Sequence, residues 1–136
     1  MKSDRRGIER LLDKPEPGTR FYLFHGYDEG QSRAHAERLL KGLGAQKLNV
    51  AGAAARSDPA ALADAAAAID MFGERRAIWI DPAGDEIGEA VDALLGAPAA
   101  ESPVIAIGGA LRKTSKLLKA AEAHPLALVH VSYELG

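Results

Sequence analysis

Five short apolar runs, each closed by a turn signal and separated from the next by a stretch of helical periodicity, constrain this chain more than any other feature. Phe21-Tyr22-Leu23-Phe24-His25 ends at Gly26, and Lys47–Val50 is a weaker second run. Ala77–Ile80 stops at Asp81-Pro82, Pro103–Ile107 stops at Gly108-Gly109, and Leu126–Val131 closes the series. The runs are mostly continuous rather than alternating, the pattern of parallel strands covered on both faces. An amphipathic hairpin sheet would instead read apolar and polar in turn.

The intervening segments have helical spacing and helical punctuation. Residues 29–41 place Ala36, Leu39, Leu40 and Leu43 on one face, with Asp28 as N-cap and Gly42 or Gly44 as stop. Asp58-Pro59 opens another helix, with the cap residue followed by proline at the first helical position. Its stripe is Leu62, Ala65, Ala66 and Ile69, and Gly73 is the expected end. Residues 85–95 carry Ile87, Val91, Leu94 and Leu95, closed by Gly96 and Pro98. Thr114 is the expected cap of a basic helix that turns Leu117, Leu118 and Ala121 inward and ends at His124-Pro125. A short helix near residues 4–13, with Ile8, Leu11 and Leu12, precedes the first strand. Strands alternating with helices give an α/β three-layer sandwich around a five-stranded parallel sheet.

Composition sets the limits. With 136 residues the chain is read as one domain spanning 1–136. Alanine accounts for 27 of them and favours helix, while 31 Leu, Ile, Val and Phe suffice for one compact core. The absence of cysteine excludes disulfide scaffolds, thiolate metal sites and cysteine nucleophiles. No apolar run approaches the ~20 residues that span a bilayer, and no signal-type stretch follows Met1-Lys2-Ser3-Asp4-Arg5-Arg6, so a cytoplasmic protein without membrane contact is expected. The net charge of −2 argues against a general nucleic-acid coat. Residues 42–111 carry four Lys/Arg against ten Asp/Glu, whereas both ends are mildly basic, which suggests two faces with different partners or simply solvated surface.

In an open α/β sheet, chemistry sits in the loops after the strands. The first, Gly26-Tyr27-Asp28-Glu29-Gly30-Gln31-Ser32-Arg33, stands where a phosphate-binding P-loop would stand. It has one residue too few between its glycines, no lysine after the second, and two carboxylates where phosphate charge would lie. Gly26, Asp28 and Gly30 therefore read as a vestigial nucleotide loop. Asp81 resembles the strand-end aspartate that holds magnesium in P-loop ATPases, but Pro82 follows it in place of a carboxylate base. A receiver-type phosphoacceptor would use Asp28, Glu29 and Asp81, yet it lacks its hydroxyl, replaced by Gly108-Gly109, and its lysine after the fifth strand. The histidines His25, His35, His124 and His130 have no metal-ligand spacing, and His25 and His130 read as core or rim residues. No catalytic centre, cofactor or metal is expected.

Two features remain. Ile69-Asp70-Met71-Phe72-Gly73 puts two bulky apolar side chains at the end of a helix that already has its core stripe. They read either as a plug for a partner's groove or as a hydrophobic contact folded back under the helix end. Arg112, Lys113, Lys116 and Lys119 form a basic cluster, read either as a phosphate or DNA contact or as a solvated face.

Three stretches in register resemble the N-terminal domain of the delta subunit of the bacterial DNA polymerase III clamp loader. They are Phe21 to Asp28, Asp58-Pro59-Ala60-Ala61-Leu62 running through Ile69-Asp70-Met71-Phe72-Gly73-Glu74-Arg75-Arg76, and Leu111-Arg112-Lys113-Thr114-Ser115-Lys116-Leu117. The resemblance implies an AAA+-type domain, like a P-loop NTPase but lacking a functional Walker A. It implies a non-catalytic subunit of the polymerase assembly that binds and helps open the sliding clamp (the beta subunit) in DNA replication, without binding ATP. The family's Leu-Phe clamp-binding pair aligns with Met71 and Phe72, a volume-conserving change at the first position. Ile69, Asp70, Arg75 and Arg76 then flank the contact. Relatives carry a helical lid and a collar domain that assembles with the other loader subunits, so the chain is expected to be an excised N-terminal domain touching DNA only indirectly or weakly. Rival readings are a nucleotide-binding or phosphoacceptor enzyme of the same architecture, or an unrelated protein-interaction module.

Overall fold

A computed structural model describes residues 8–15, 18–68, 75–98, 100–112 and 114–132. The described chain runs α1 (Ile8–Asp13), β1 (Phe21–Gly26), α2 (Glu29–Leu43), β2 (Gln46–Asn49), α3 (Gly52–Ser57), α4 (Pro59–Ala67) and β3 (Arg76–Ile80). A 3-10 turn, Asp85–Ile87, leads into α5 (Gly88–Gly96), and β4 (Val104–Ile107), α6 (Lys116–Ala123) and β5 (Ala127–Ser132) complete it. All five strands are parallel, in the order β2-β3-β4-β1-β5.

Side chains alternate between two cores because successive strand residues point to opposite faces. Tyr22, Phe24, Trp79, Ile105 and Ile107 meet Ile8 and Leu12 of α1 and Ala36, Leu39 and Leu43 of α2. Phe21, Leu23, Ile78, Ile80, Val104 and Val129 meet the opposite layer, formed by Ala55, Leu62, Ala66, Val91, Leu94, Leu117 and Leu118 of α3 to α6. Helices thus cover both faces of the sheet, and this is why the strands read as unbroken apolar runs. α2 carries the chain from β1 to the far edge over one face, and the later crossovers return over the other. Opposite directions on opposite faces give every crossover the same hand, as the rule for parallel strands requires.

β1 lies inside the sheet and is buried along its whole length, whereas β2 is an edge strand with every residue exposed. The edge has its own protection. Lys47 pairs with Glu37 of α2 and holds its Nζ 4.0 Å above the Trp79 ring, so the aliphatic stem and ammonium shield an aromatic face that β2 is too thin to bury. On the other side of the sheet Arg20, just before β1, donates to the carbonyls of Leu94 and Ala97 and closes the carboxyl end of α5.

Several boundaries depart from the sequence pattern. Between β2 and α4, where that pattern places no helix, the chain forms α3. Asp58 does occupy the N-cap position of α4 ahead of Pro59, but its side chain makes no cap hydrogen bond. α4 is assigned to Ala67; the expected end at Gly73, and Ile69 of the expected stripe, lie outside the described residues. The expected helix over 85–95 opens as a 3-10 turn. Ser115, not Thr114, caps α6: its hydroxyl accepts from the Leu118 N–H, and a cap one residue earlier would miss a helix that starts at Lys116. Gly44 rather than Gly42 is the left-handed cap of α2, at φ 63°. Among the described residues no helix is long and apolar enough to cross a membrane.

Gly26 ends β1 at φ +126°, and a Cβ there would lie 2.1 Å from the Ser132 carbonyl oxygen of β5. A substitution must therefore separate the paired ends of the two strands. At Gly44 a Cβ meets nothing within 4 Å, so only the left-handed backbone is penalised. Urea denaturation is expected to show Gly44→Ala costing about 1–2 kcal/mol. Gly26→Ala should cost about 4 kcal/mol or more, or prevent folding.

Candidate functional site

The chain leaves β1 toward one face and the adjacent β4 toward the other, so the carboxyl ends of these two strands flank a topological switch point. In sheets of this kind that crevice is where ligands bind. Here it is closed by groups of the chain itself. The connection from β1 to α2 is only Tyr27-Asp28, too short to wrap a phosphate. The Asp28 carboxylate accepts from the Gln31 N–H at 2.9 Å, and the Asp28 carbonyl accepts from the Ser32 N–H at 3.0 Å. The first turn of α2 therefore already holds an anion of its own. Gly26 donates its N–H to the Gly109 carbonyl at 3.0 Å, which sews the β1 loop to the β4 loop. A Glu29 carboxylate oxygen lies 2.9 Å from where a Gly109 Cβ would be, adding negative charge to the same spot. Gly30 sits within the first turn of α2, without a positive φ and with ordinary room for a side chain. Of the three loop residues, Gly26 and Asp28 have structural duties and Gly30 has none of the special geometry of a phosphate loop.

The strand-end carboxylate is engaged as well. Arg33 of α2 grips Asp81 in a bidentate pair, Nε to Oδ2 at 2.7 Å and Nη2 to Oδ1 at 3.1 Å. The hydrogen bond and charge of Asp81 raise the Arg33 pKa above its ordinary value. A guanidinium thus stands against the carboxylate that a P-loop ATPase would offer to magnesium. The strand order also separates the acidic residues that a phosphoacceptor would need together. β1 and β3 are not neighbours, since β4 lies between them, whereas the flavodoxin-like order 2-1-3-4-5 makes them adjacent.

At the opposite, amino end of the sheet, backbone hydrogen bonds anchor the described residues that come before position 69 and after position 74 in the chain. The Ala66 carbonyl near the end of α4 accepts from Glu101 at 2.7 Å and Ser102 at 2.9 Å, fixing the helix to the approach of β4. The Arg75 carbonyl accepts from Gln46, fixing the start of β3 to β2. Arg75 and Arg76 are exposed. Ile69, Asp70, Met71 and Phe72 lie outside the described residues. The chain's other two phenylalanines, Phe21 and Phe24, are fully buried in β1.

The basic cluster is divided. Arg112 is exposed before α6, Lys113 lies outside the described residues, and Lys116 and Lys119 are exposed on α6. Lys116 does not face open solvent alone. It lines a cleft of about 580 Å³ with Arg56, Asp85, Glu86, Gly88, Glu89 and Asp92, where carboxylates outnumber cations two to one. Asp85 accepts from the Ser115 hydroxyl and from the Leu117 N–H, so the amino end of α6 also carries its own carboxylate. Nothing short-range in the sequence points to this contact, because Asp85 and Ser115 are 30 residues apart. The histidines His25 and His130 are buried, as their place in strands implies, and His35 of α2 stacks edge-on against His130 with ring centroids 5.0 Å apart. No group of three or more potential metal ligands is assembled among the described residues.

No protein-family model matches the chain, and no curated protein is significantly similar to it.

The Ser115 hydrogen bond, followed by the Leu117 and Lys116 N–H groups and the Lys116 charge, lowers the Asp85 pKa against an opposing effect of burial. Fewer protons are then bound in the folded state, so this contribution is complete above the unfolded carboxylate value and disappears as pH falls through the lowered folded value. Thermal melts across the acid range should show Asp85→Asn with a shallower loss of stability below about pH 4 than the parent. Ser115→Ala should cost about 1 kcal/mol at neutral pH in urea denaturation.

Proposed function

We propose that this chain is the clamp-binding domain of a clamp-loader delta subunit: an AAA+-type α/β domain that grips a sliding clamp through Met71 and Phe72 without binding ATP itself. The observation that carries this reading is the self-closed crevice. Asp28 caps α2 where a phosphate loop would offer its N–H groups, Glu29 adds a second carboxylate beside it, and Arg33 clasps the strand-end Asp81, all of which supports a domain that does not take a magnesium nucleotide. The three stretches similar to the delta family, in register along the chain, supply the positive half of the reading. Along the sequence the apolar pair falls between α4 and β3.

On this reading Met71 and Phe72 enter an apolar pocket on the clamp and contribute ~1.5–3 kcal/mol each by burial. Together they correspond at best to a Kd of tens of micromolar, roughly 6 kcal/mol. Tighter binding requires rim contacts, for which Asp70, Glu74, Arg75 and Arg76 are placed in the chain. Binding alone does not open a ring. The domain must bind the open clamp more tightly than the closed one, since a ligand shifts an equilibrium only by its differential affinity. ATP-driven steps then belong to neighbouring subunits of the loader, and DNA is met through the clamp rather than through the divided basic cluster.

Paired variants separate a docking tip from a core residue. Phe72→Ala should weaken binding to purified sliding clamp by about 10- to 150-fold, matching the loss of ~1.5–3 kcal/mol, and leave the melting temperature nearly unchanged. Phe24→Ala, which empties a buried position in β1, should cost about 3–5 kcal/mol of stability. Early melting of Phe72→Ala, like that of Phe24→Ala, would overturn the reading.

Mg-ATP at millimolar concentration should leave the melting temperature of the parent chain unaltered. A clear upward shift would restore the nucleotide-binding enzyme as the better interpretation.

A further inference from the structure

We draw no further inference here: the strongest candidate, the acid-rich cleft between α3, the 3-10 turn, α5 and α6, is a cluster of carboxylates whose Asp85 already caps α6, and nothing in the structure shows what would occupy it.

Discussion

Burial of β1 on both faces and along both edges is the constraint from which the rest of this molecule follows. A strand hydrogen-bonded to β4 on one side and β5 on the other, with Phe21 and Leu23 in one core and Tyr22 and Phe24 in the other, gives these four side chains an almost wholly apolar environment, and His25 follows them at its buried carboxyl end. Its backbone groups are satisfied by the two neighbouring ladders, and its side chains require helices above and below. Edges are then forced onto β2 and β5. The inner strand can be mostly apolar because the exposed edge at β2 is built differently, from Gln46, Lys47, Leu48 and Asn49, with Lys47 folded over Trp79.

The same burial determines how tightly the carboxyl end can close. Gly26 has to bring β1 within van der Waals distance of Ser132 before the chain turns into α2, and this leaves only two residues to make the turn. A short turn cannot present the string of backbone N–H groups that a phosphate needs, so the helix that follows is capped by its own aspartate. Closure is reinforced electrostatically. Asp28, Glu29 and Asp81 would repel a nucleotide, and the Arg33 guanidinium is held on Asp81 by two hydrogen bonds. The two-residue turn after β1, the cap at Asp28 and the Arg33–Asp81 pair thus have a single physical outcome: a crevice filled from within.

Strand runs, helix stripes, the cap at Asp28 and a glycine stop at Gly42 or Gly44 were legible in the sequence because each rests on local physics. Periodicity marks the buried face, a short polar side chain marks a helix start, and glycine marks a left-handed stop. α3 was hidden because a six-residue helix that begins at glycine and contains three alanines has no amphipathic stripe long enough to be seen against a loop. The cap of α6 was misplaced by one residue because Thr114 and Ser115 are chemically equivalent cap formers, and the choice between them is made by Asp85, far away in the chain. The strand order, the Arg33–Asp81 clasp and the acidic setting of Lys116 are tertiary facts for which no local pattern exists. At the candidate site, the departure of the loop after β1 from a phosphate-loop pattern could be read directly from residue types, whereas the contacts that close it needed Gly109, Ser132 and Arg33 in place around it.

Filling one end of an α/β domain has a consequence for the other. A nucleotide-binding crevice must open and close around its ligand, which calls for loops that can separate. Here the loops after β1 and β4 are joined by the Gly26–Gly109 hydrogen bond, and the end of α2 nearest the crevice is bound to β3 by Arg33. The sheet and α2 therefore behave as one unit at that end. At the amino end, Ala66 fastens the end of α4 to the approach of β4, and Arg75 fastens the start of β3 to β2. Under the proposed function this arrangement has a thermodynamic use. Every backbone degree of freedom already fixed in the two stems is entropy that docking no longer has to remove. A contact limited to two apolar side chains and a rim supplies little binding energy, so preorganised stems matter more to it than to a broad interface. Removing the Ala66–Glu101 and Ala66–Ser102 hydrogen bonds would then be felt at the docking surface as a weaker clamp affinity, even with Met71 and Phe72 unaltered.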